Sequence, residues 1–366
     1  MKFLNRIIAI CILIVSISMN SCQNNNGPKM DWKIIDFNKI PRETKVDTYF
    51  DALTRYEFNQ IINYNKNIFF LLGDDSGENK KDKNSVIYSS LDYGTTFHKT
   101  SLGKGTIREG FFVEKKMFVV LDDTINIDGI NKPNSTLFTS KDFGKTWVKI
   151  KTFEGEDLYN VNFYTEKVGI VCLSKEKSRY LFTTDGGENW KDFEPDSDQF
   201  DLGYIFKTEN KIIFVENNSI VEYDLISKEK KQIKQMKIPE GMKIEDLKKD
   251  IKTGEIFVTL VSNDYTEKKI SLYYVNNDEL VNLPNGYYVN TYGNYYFTEL
   301  YNTPYSYYVW SEDRGKTWHK EKLEDFFIDP RPIGYAEDGY IYMIAAMFKG
   351  NQDERGARLV IGHPKK

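Results

Sequence analysis

Eight-residue stretches built on one pattern occur four times in this chain: Ser90 to Phe97 (SLDYGTTF), Ser140 to Trp147 (SKDFGKTW), Thr183 to Trp190 (TTDGGENW) and Ser311 to Trp318 (SEDRGKTW). Their aspartates, Asp92, Asp142, Asp185 and Asp313, follow one another at steps of 50, 43 and 128 residues. A period of about 40 to 50 residues is what one four-stranded propeller blade consumes. The wide last gap holds two weaker copies, Ile220 to Ile233 and Ser271 to Leu283, each a strand, a polar turn and a second strand. The C-terminal runs Gly339 to Phe348 and Arg358 to Gly362 add one more unit that lacks a fourth strand. The segment Asp31 to Ile40 has the apolar residues and the Trp to supply it. Closing the ring in this way removes exposed sheet edges. The expected fold is all-β: a seven-bladed β-propeller of four-stranded antiparallel blades, the last closed by an N-terminal strand, with six or eight blades as the alternatives.

Within the motif each part serves a local turn. The short Asp carboxylate is expected to accept backbone N–H bonds from two or three residues on, and Gly94, Gly144, Gly187 and Gly315 to supply the positive φ that closes the turn. Trp147, Trp190 and Trp318, with Phe97 in the first copy, return the chain to an apolar interior. A carboxylate filled by turn donors has no lone pair left for catalysis, so these residues read as scaffold. The four copies resemble the Asp-box, or BNR repeat, of sialidases, sortilin-type ectodomains and propellers similar to photosystem II assembly factors. The resemblance implies that the box joins the third and fourth strands of a blade, at the periphery and away from the ligand face.

The chain opens with Lys2 and Arg6 and an apolar run from Ile7 to Ile17, which has the form of a secretory signal and is short for a bilayer span. Ser21 before Cys22 resembles the bacterial lipoprotein signal, with Met19 where Leu is usual. Residues 1–21 are therefore expected to be a signal peptide, 22–30 a lipidated Cys22 with a flexible tether, and 31–366 a single propeller domain. The expected address is the cell envelope, lipid-anchored at the outer membrane. Removal of Lys2 and Arg6 takes the formal net charge from -4 to -6. Without a concentrated basic surface, nucleic acid is not an expected partner. Cys172, inside the apolar run VGIVCLS, is expected to be a buried core residue.

The loops that lead from each outer strand to the next inner strand are expected to form the ligand face. They carry Arg108, Asp157, Tyr159, Asp201, Asp246, Tyr287 and Arg331. A sialidase-like hydrolase would need an arginine cluster, a Tyr nucleophile and an acid. The early arginine motif of that family is missing, and the precursor has only nine arginines, one in the signal and one (Arg314) in a box. A second expectation is glycan binding, because Gly286 to Trp310 holds nine tyrosines, with Tyr301 and Tyr305 flanking a turn. The acidic loops Gly73 to Asn84 and Asp122 to Asn134 match calcium-loop spacing poorly and read as long hairpin tips. No metal and no cofactor is expected. The leading expectation is a monomeric, non-catalytic scaffold that binds an envelope protein partner.

Overall fold

The middle strands of each blade carry near-continuous apolar runs, such as Phe69–Leu72, Met117–Leu121 and Ile212–Val215. A strand buried on both faces needs such a run, because alternate side chains point to opposite neighbours. In the computed structural model this requirement is met by radial packing of seven four-stranded antiparallel sheets. The structure describes residues 30–36, 56–75, 83–127, 129–174, 179–195, 203–250, 252–263, 269–284, 289–302, 305–322, 333–336, 339–347 and 356–365.

β1 (Met30–Asp36) precedes the first blade. Blade one is β2 (Tyr56–Asn63), β3 (Phe69–Asp75), β4 (Asn84–Ser90) and β5 (His98–Thr100). Blade two is β6 (Thr106–Val113), β7 (Lys116–Ile127), β8 (Ile130–Ser140) and β9 (Val148–Glu154). Blade three is β10 (Asp157–Phe163), β11 (Gly169–Ser174), β12 (Arg179–Thr183) and β13 (Lys191–Phe193). Blade four is β14 (Tyr204–Thr208), β15 (Lys211–Glu216), β16 (Ser219–Asp224) and β17 (Lys230–Gln235). Blade five is β18 (Met242–Lys249), β19 (Ile256–Ser262), β20 (Ile270–Tyr274) and β21 (Glu279–Asn282). Blade six is β22 (Val289–Tyr292), β23 (Tyr295–Asn302), β24 (Tyr305–Ser311) and β25 (His319–Lys322). Blade seven is β26 (Ile333–Ala336), β27 (Tyr340–Met347) and β28 (Gly356–Pro364), and its outermost strand is β1.

The seven blades and the N-terminal closure agree with the sequence expectation. The two weak copies are blades four and five. Cys172 is buried on β11.

Seven apolar clusters fill the seven spaces between neighbouring blades. Phe69 and Leu71 face blade seven, while Phe70 and Leu72 face blade two. β1 contributes to two clusters at once: Ile35 packs toward blade one and Met30 toward blade six.

The four boxes join the third strand to the fourth, as expected. The head hydroxyl of Ser90, Ser140, Thr183 or Ser311 donates to the Asp Oδ1 at 2.8–3.0 Å. It also accepts the glycine N–H at 2.7–3.0 Å. The expected donor three residues on is present, with the Thr95 N–H 3.0 Å from Asp92 Oδ1, and a second lies four residues on: Oδ1 accepts the N–H of Thr96, Thr146, Asn189 or Thr317 at 2.8–2.9 Å. Two consecutive residues with positive φ in each box, such as Phe143 (57°) and Gly144 (79°), lengthen the turn and bring that later N–H inward. The Thr146 and Asn189 donors hold Asp142 and Asp185 at about 2.

The box glycines are also spacers. A Cβ on Gly94 would lie 2.3 Å from Ile35 of β1, and one on Gly315 2.8 Å from Val281 of blade five. Each box thus keys its blade to the preceding one. Asp313→Ala removes the acceptor for Ser311 and for both donors of Thr317. Loss of a comparable cap costs about 1–2 kcal/mol, so a thermal melt should fall by about 3 °C; an unchanged melting temperature would show the box to be dispensable.

Candidate functional site

Strand direction separates two faces. The boxes lie on one face beside the first hairpin of each blade, as the Tyr93 N–H to Asn67 C=O and Arg314 N–H to Asn294 C=O bonds show. The hairpins between second and third strands, and the segments that enter each inner strand, lie on the other. Met30 pairs with Pro364 and Asp36 with Arg358, so β1 begins on the box face and runs toward the opposite one.

On that opposite face the inner strands share a device. β2, β6 and β10 each carry a β-bulge four residues before the residue that pairs with the box-linked position of the second strand, at Asn59, Arg108 and Tyr159. A bulge adds a residue, re-aims a side chain and interrupts the ladder. The next side chain restores what is interrupted. Gln60 Oε1 accepts the Gly110 N–H of the neighbouring inner strand at 2.6 Å. Glu109, at the equivalent place in blade two, accepts the Val161 N–H of blade three. Burial pushes the Glu109 carboxyl up to about 7, against the opposing pull of Arg108 and the Val161 donor.

Arg108 is aimed sideways by its bulge. Its Nε lies 2.7 Å from Asp122 Oδ2 and its Nη2 2.9 Å from Asp157 Oδ1, tying blade two to blade three. Ser135 donates to Asp122 Oδ1 at 2.6 Å and accepts the Leu158 N–H at 3.0 Å. Burial raises Asp122 above the usual carboxylate range, a shift opposed by Ser135 and Arg108. Blade one repeats the arrangement. Asp74, opposite Ser85 in register, accepts Lys83 Nζ at 3.1 Å and Thr106 Oγ1 at 2.6 Å, while Ser85 accepts the Leu102 N–H at 2.7 Å.

The structure therefore brings together three of the expected site residues, Arg108, Asp157 and Tyr159. Tyr159, at the bulge of β10, is 64 % exposed. Asp246 stands just past a bulge in β18, its carboxylate 2.7 Å from Lys248 Nζ. Tyr301 and Tyr305 fall on β23 and β24 at the hairpin of blade six. Cys22, Asp201, Tyr287 and Arg331 lie outside the described residues. Sequence reasoning missed Glu109, Gln60, Asp122 and the two serines. The serines did carry a signal, since a Ser stands five residues before every box head, at Ser85, Ser135, Ser178 and Ser306. Among the described residues no group of three or more His, Cys, Asp or Glu side chains is placed to hold a metal ion.

The BNR-Asp box repeat family model matches residues 137–150, the end of the third strand, the box and the start of the fourth strand of blade two. No curated protein matches the chain in sequence. A structure of YCF48 bound to a D1 peptide superposes with a TM-score of 0.54 at 11% identity, covering 94% of this chain and 100% of that one. An oligogalacturonate lyase from Vibrio parahaemolyticus gives 0.55 at 10% identity, over 92% and 98% of the two chains. The propeller domain of the Trilobed protease from Pyrococcus furiosus gives 0.53 at 8% identity, over 84% and 94%. Proteins of such different activity share only architecture at these identities. The chain is a seven-bladed β-propeller built on BNR-Asp box repeats.

Proposed function

We propose that the chain is a lipid-anchored propeller of the bacterial envelope that holds a protein partner on its non-box face, without catalysis. The observation that carries this reading is the placement of the N-terminal strand. β1 starts at Met30 on the box face, and the chain between Cys22 and Met30 can reach at most about 28 Å. An anchor at Cys22 would keep the box face toward the outer membrane and turn the mouth with Arg108 and Tyr159 away from it. The peptide held by the YCF48 structure belongs to a propeller of the same architecture, which supports a polypeptide as the occupant. Arg108 is engaged by Asp122 and Asp157, which argues against an arginine clamp for a sugar carboxylate.

The test is a crosslinked pull-down from envelopes of the native host, comparing the full-length protein with Cys22→Ala. One stoichiometric protein recovered with the lipidated form is expected; no protein above the control would sink the reading. Carbohydrate binding is the second reading, favoured by the exposed ring of Tyr159. It predicts glycan affinity that Tyr159→Ala abolishes.

A further inference from the structure

The hairpin of blade two outgrows its sheet. β6 stops pairing with β7 at Asp122, and β9 stops pairing with β8 at Asn134. The β7–β8 ladder nevertheless continues to Ile127–Ile130. A two-stranded ribbon thus projects from the non-box face. A lone ribbon is at best marginally stable in water, and this one exposes apolar surface, with Ile130 62 % exposed.

Its two edges differ. In a two-residue hairpin the closing pair is hydrogen-bonded and bonded pairs then alternate. Ile127–Ile130, Ile125–Lys132 and Asp123–Asn134 are the bonded pairs, so the backbone groups of Asn126 and Thr124 point outward on the β7 side. On the β8 side Pro133 has no N–H to offer. The β7 edge lies on the same side as β6, toward the axis of the ring, and among the described residues no backbone group bonds to Thr124 there. Exposed edges are normally blunted with Lys or Pro. The outer strands follow that rule, with Lys149 and Lys151 on β9 and Lys230, Lys231 and Lys234 on β17. The sequence DTINI of the β7 edge carries neither residue.

Charge supplies the second constraint. At the foot of the ribbon two carboxylates, Asp122 and Asp157, share the one guanidinium of Arg108, and Asp123 follows Asp122 in β7. The foot of the open edge therefore carries more carboxylate than guanidinium charge.

We infer that the inner edge of this ribbon, residues 123–127, is a strand-addition site for an extended, basic segment of a partner polypeptide. The partner backbone continues the β7 ladder at Thr124 and Asn126, its apolar side chains lie beside Ile125 and Ile130, and a Lys or Arg reaches the carboxylates of the mouth. The inference rests on the reading of the propeller as a protein-binding scaffold.

A displayed library of random dodecapeptides, selected on the full chain, supplies the probe. Selected peptides should be rich in Lys or Arg with apolar residues at alternate positions, and should bind less tightly as salt is raised. Asn126→Pro removes an outward donor without touching a β7–β8 hydrogen bond, and should weaken those peptides at least tenfold in fluorescence polarisation. Thr124→Pro should do the same, and a melting temperature near wild type identifies the variant whose ribbon is intact. Asn126→Ala and Thr124→Ala keep the donor and should stay within about twofold of wild type. Equal weakening by Ala and Pro, full affinity in both Pro variants, or enrichment of no peptide would overturn the inference. The envelope pull-down separates its failure from that of the scaffold reading. A partner recovered equally by wild type and Asn126→Pro discards the edge and keeps the scaffold, whereas no partner with wild type discards the scaffold.

Discussion

Ile35→Asp is expected to lower the melting temperature by about 8 °C, the largest loss from any single change considered, although Ile35 lies on a strand that joins the ring from the far end of the chain. The side chain is buried in the cluster between blades seven and one. It fills the space that Gly94 leaves, with its Cδ1 only 2.3 Å from where a Cβ on Gly94 would stand. Removing it forfeits about 2 kcal/mol of burial, and an unpaired carboxylate adds a desolvation cost of similar size. The sum of about 4 kcal/mol converts to the stated shift at about 2 °C per kcal/mol for a chain of this length.

The effect should exceed that of an equally buried residue inside a blade, because β1 is the closure. All seven of its residues pair with β28, Lys33 donates to the Tyr93 carbonyl at 2.7 Å, and Trp32 lies over Gly362, where a Cβ would come within 2.4 Å of the ring. Peeling β1 away exposes the β28 edge and the side of blade one together. Differential scanning calorimetry of Ile35→Asp beside Ile35→Ala makes the comparison. A melting temperature within about 2 °C of wild type in the Asp variant would mean that the ring does not depend on this strand.

What the sequence disclosed follows from where side-chain identity is required. A box needs a hydroxyl, an Asp, a residue free to take positive φ and an aromatic at fixed offsets, so its four good copies were legible, and with them blades one, two, three and six. Blade four closes its turn with the Asp224 carboxylate, which accepts the Ile226 and Ser227 N–H groups, and blade five with Asp278 at positive φ, whose N–H donates to the Tyr274 carbonyl; both dispense with the box glycine, which is why they appeared only as strand, turn, strand. The non-box face was read less well. The bulges at Asn59, Arg108 and Tyr159 share no residue type, because a bulge is a matter of backbone register. The lateral bonds of Gln60 and Glu109 need only an acceptor of a certain length, so their equivalence appears once the inner strands stand side by side. Arg108, Asp157 and Tyr159 were named for their place in connecting loops, yet the loops gave no hint that Asp122, from the hairpin, would claim the arginine. The run DDTINIDGINKPN was read as a hairpin tip, which it is, but not as a ribbon with one open edge, because openness depends on where β6 and β9 stop.

Glu109→Gln is expected to make the propeller more stable above neutral pH and to leave it unchanged in mild acid. The carboxyl titrates near 7 in the folded protein against 4.5 for the ordinary group, chiefly because burial between the inner strands disfavours its charge. A folded-state pKa raised above the unfolded one means that the native state holds the proton more tightly. The associated stability is fully present below about pH 4.5 and is lost as pH rises through 7. A shift of this size corresponds to at most about 3 kcal/mol, and water at the mouth of the ring should reduce it to about 2 kcal/mol. Glutamine keeps the carbonyl that the Val161 N–H requires and has no charge to desolvate. Blade one already uses that solution, with Gln60 accepting from Gly110. Melting curves of both proteins from pH 5 to pH 8 should therefore diverge, the variant gaining about 4 °C at pH 8. The positive charge of Arg108 is the competing influence, since it draws Glu109 toward the charged form. If the arginine wins, the two curves run parallel across the whole range, and Glu109 is a charged member of the mouth instead of a protonated staple between blades.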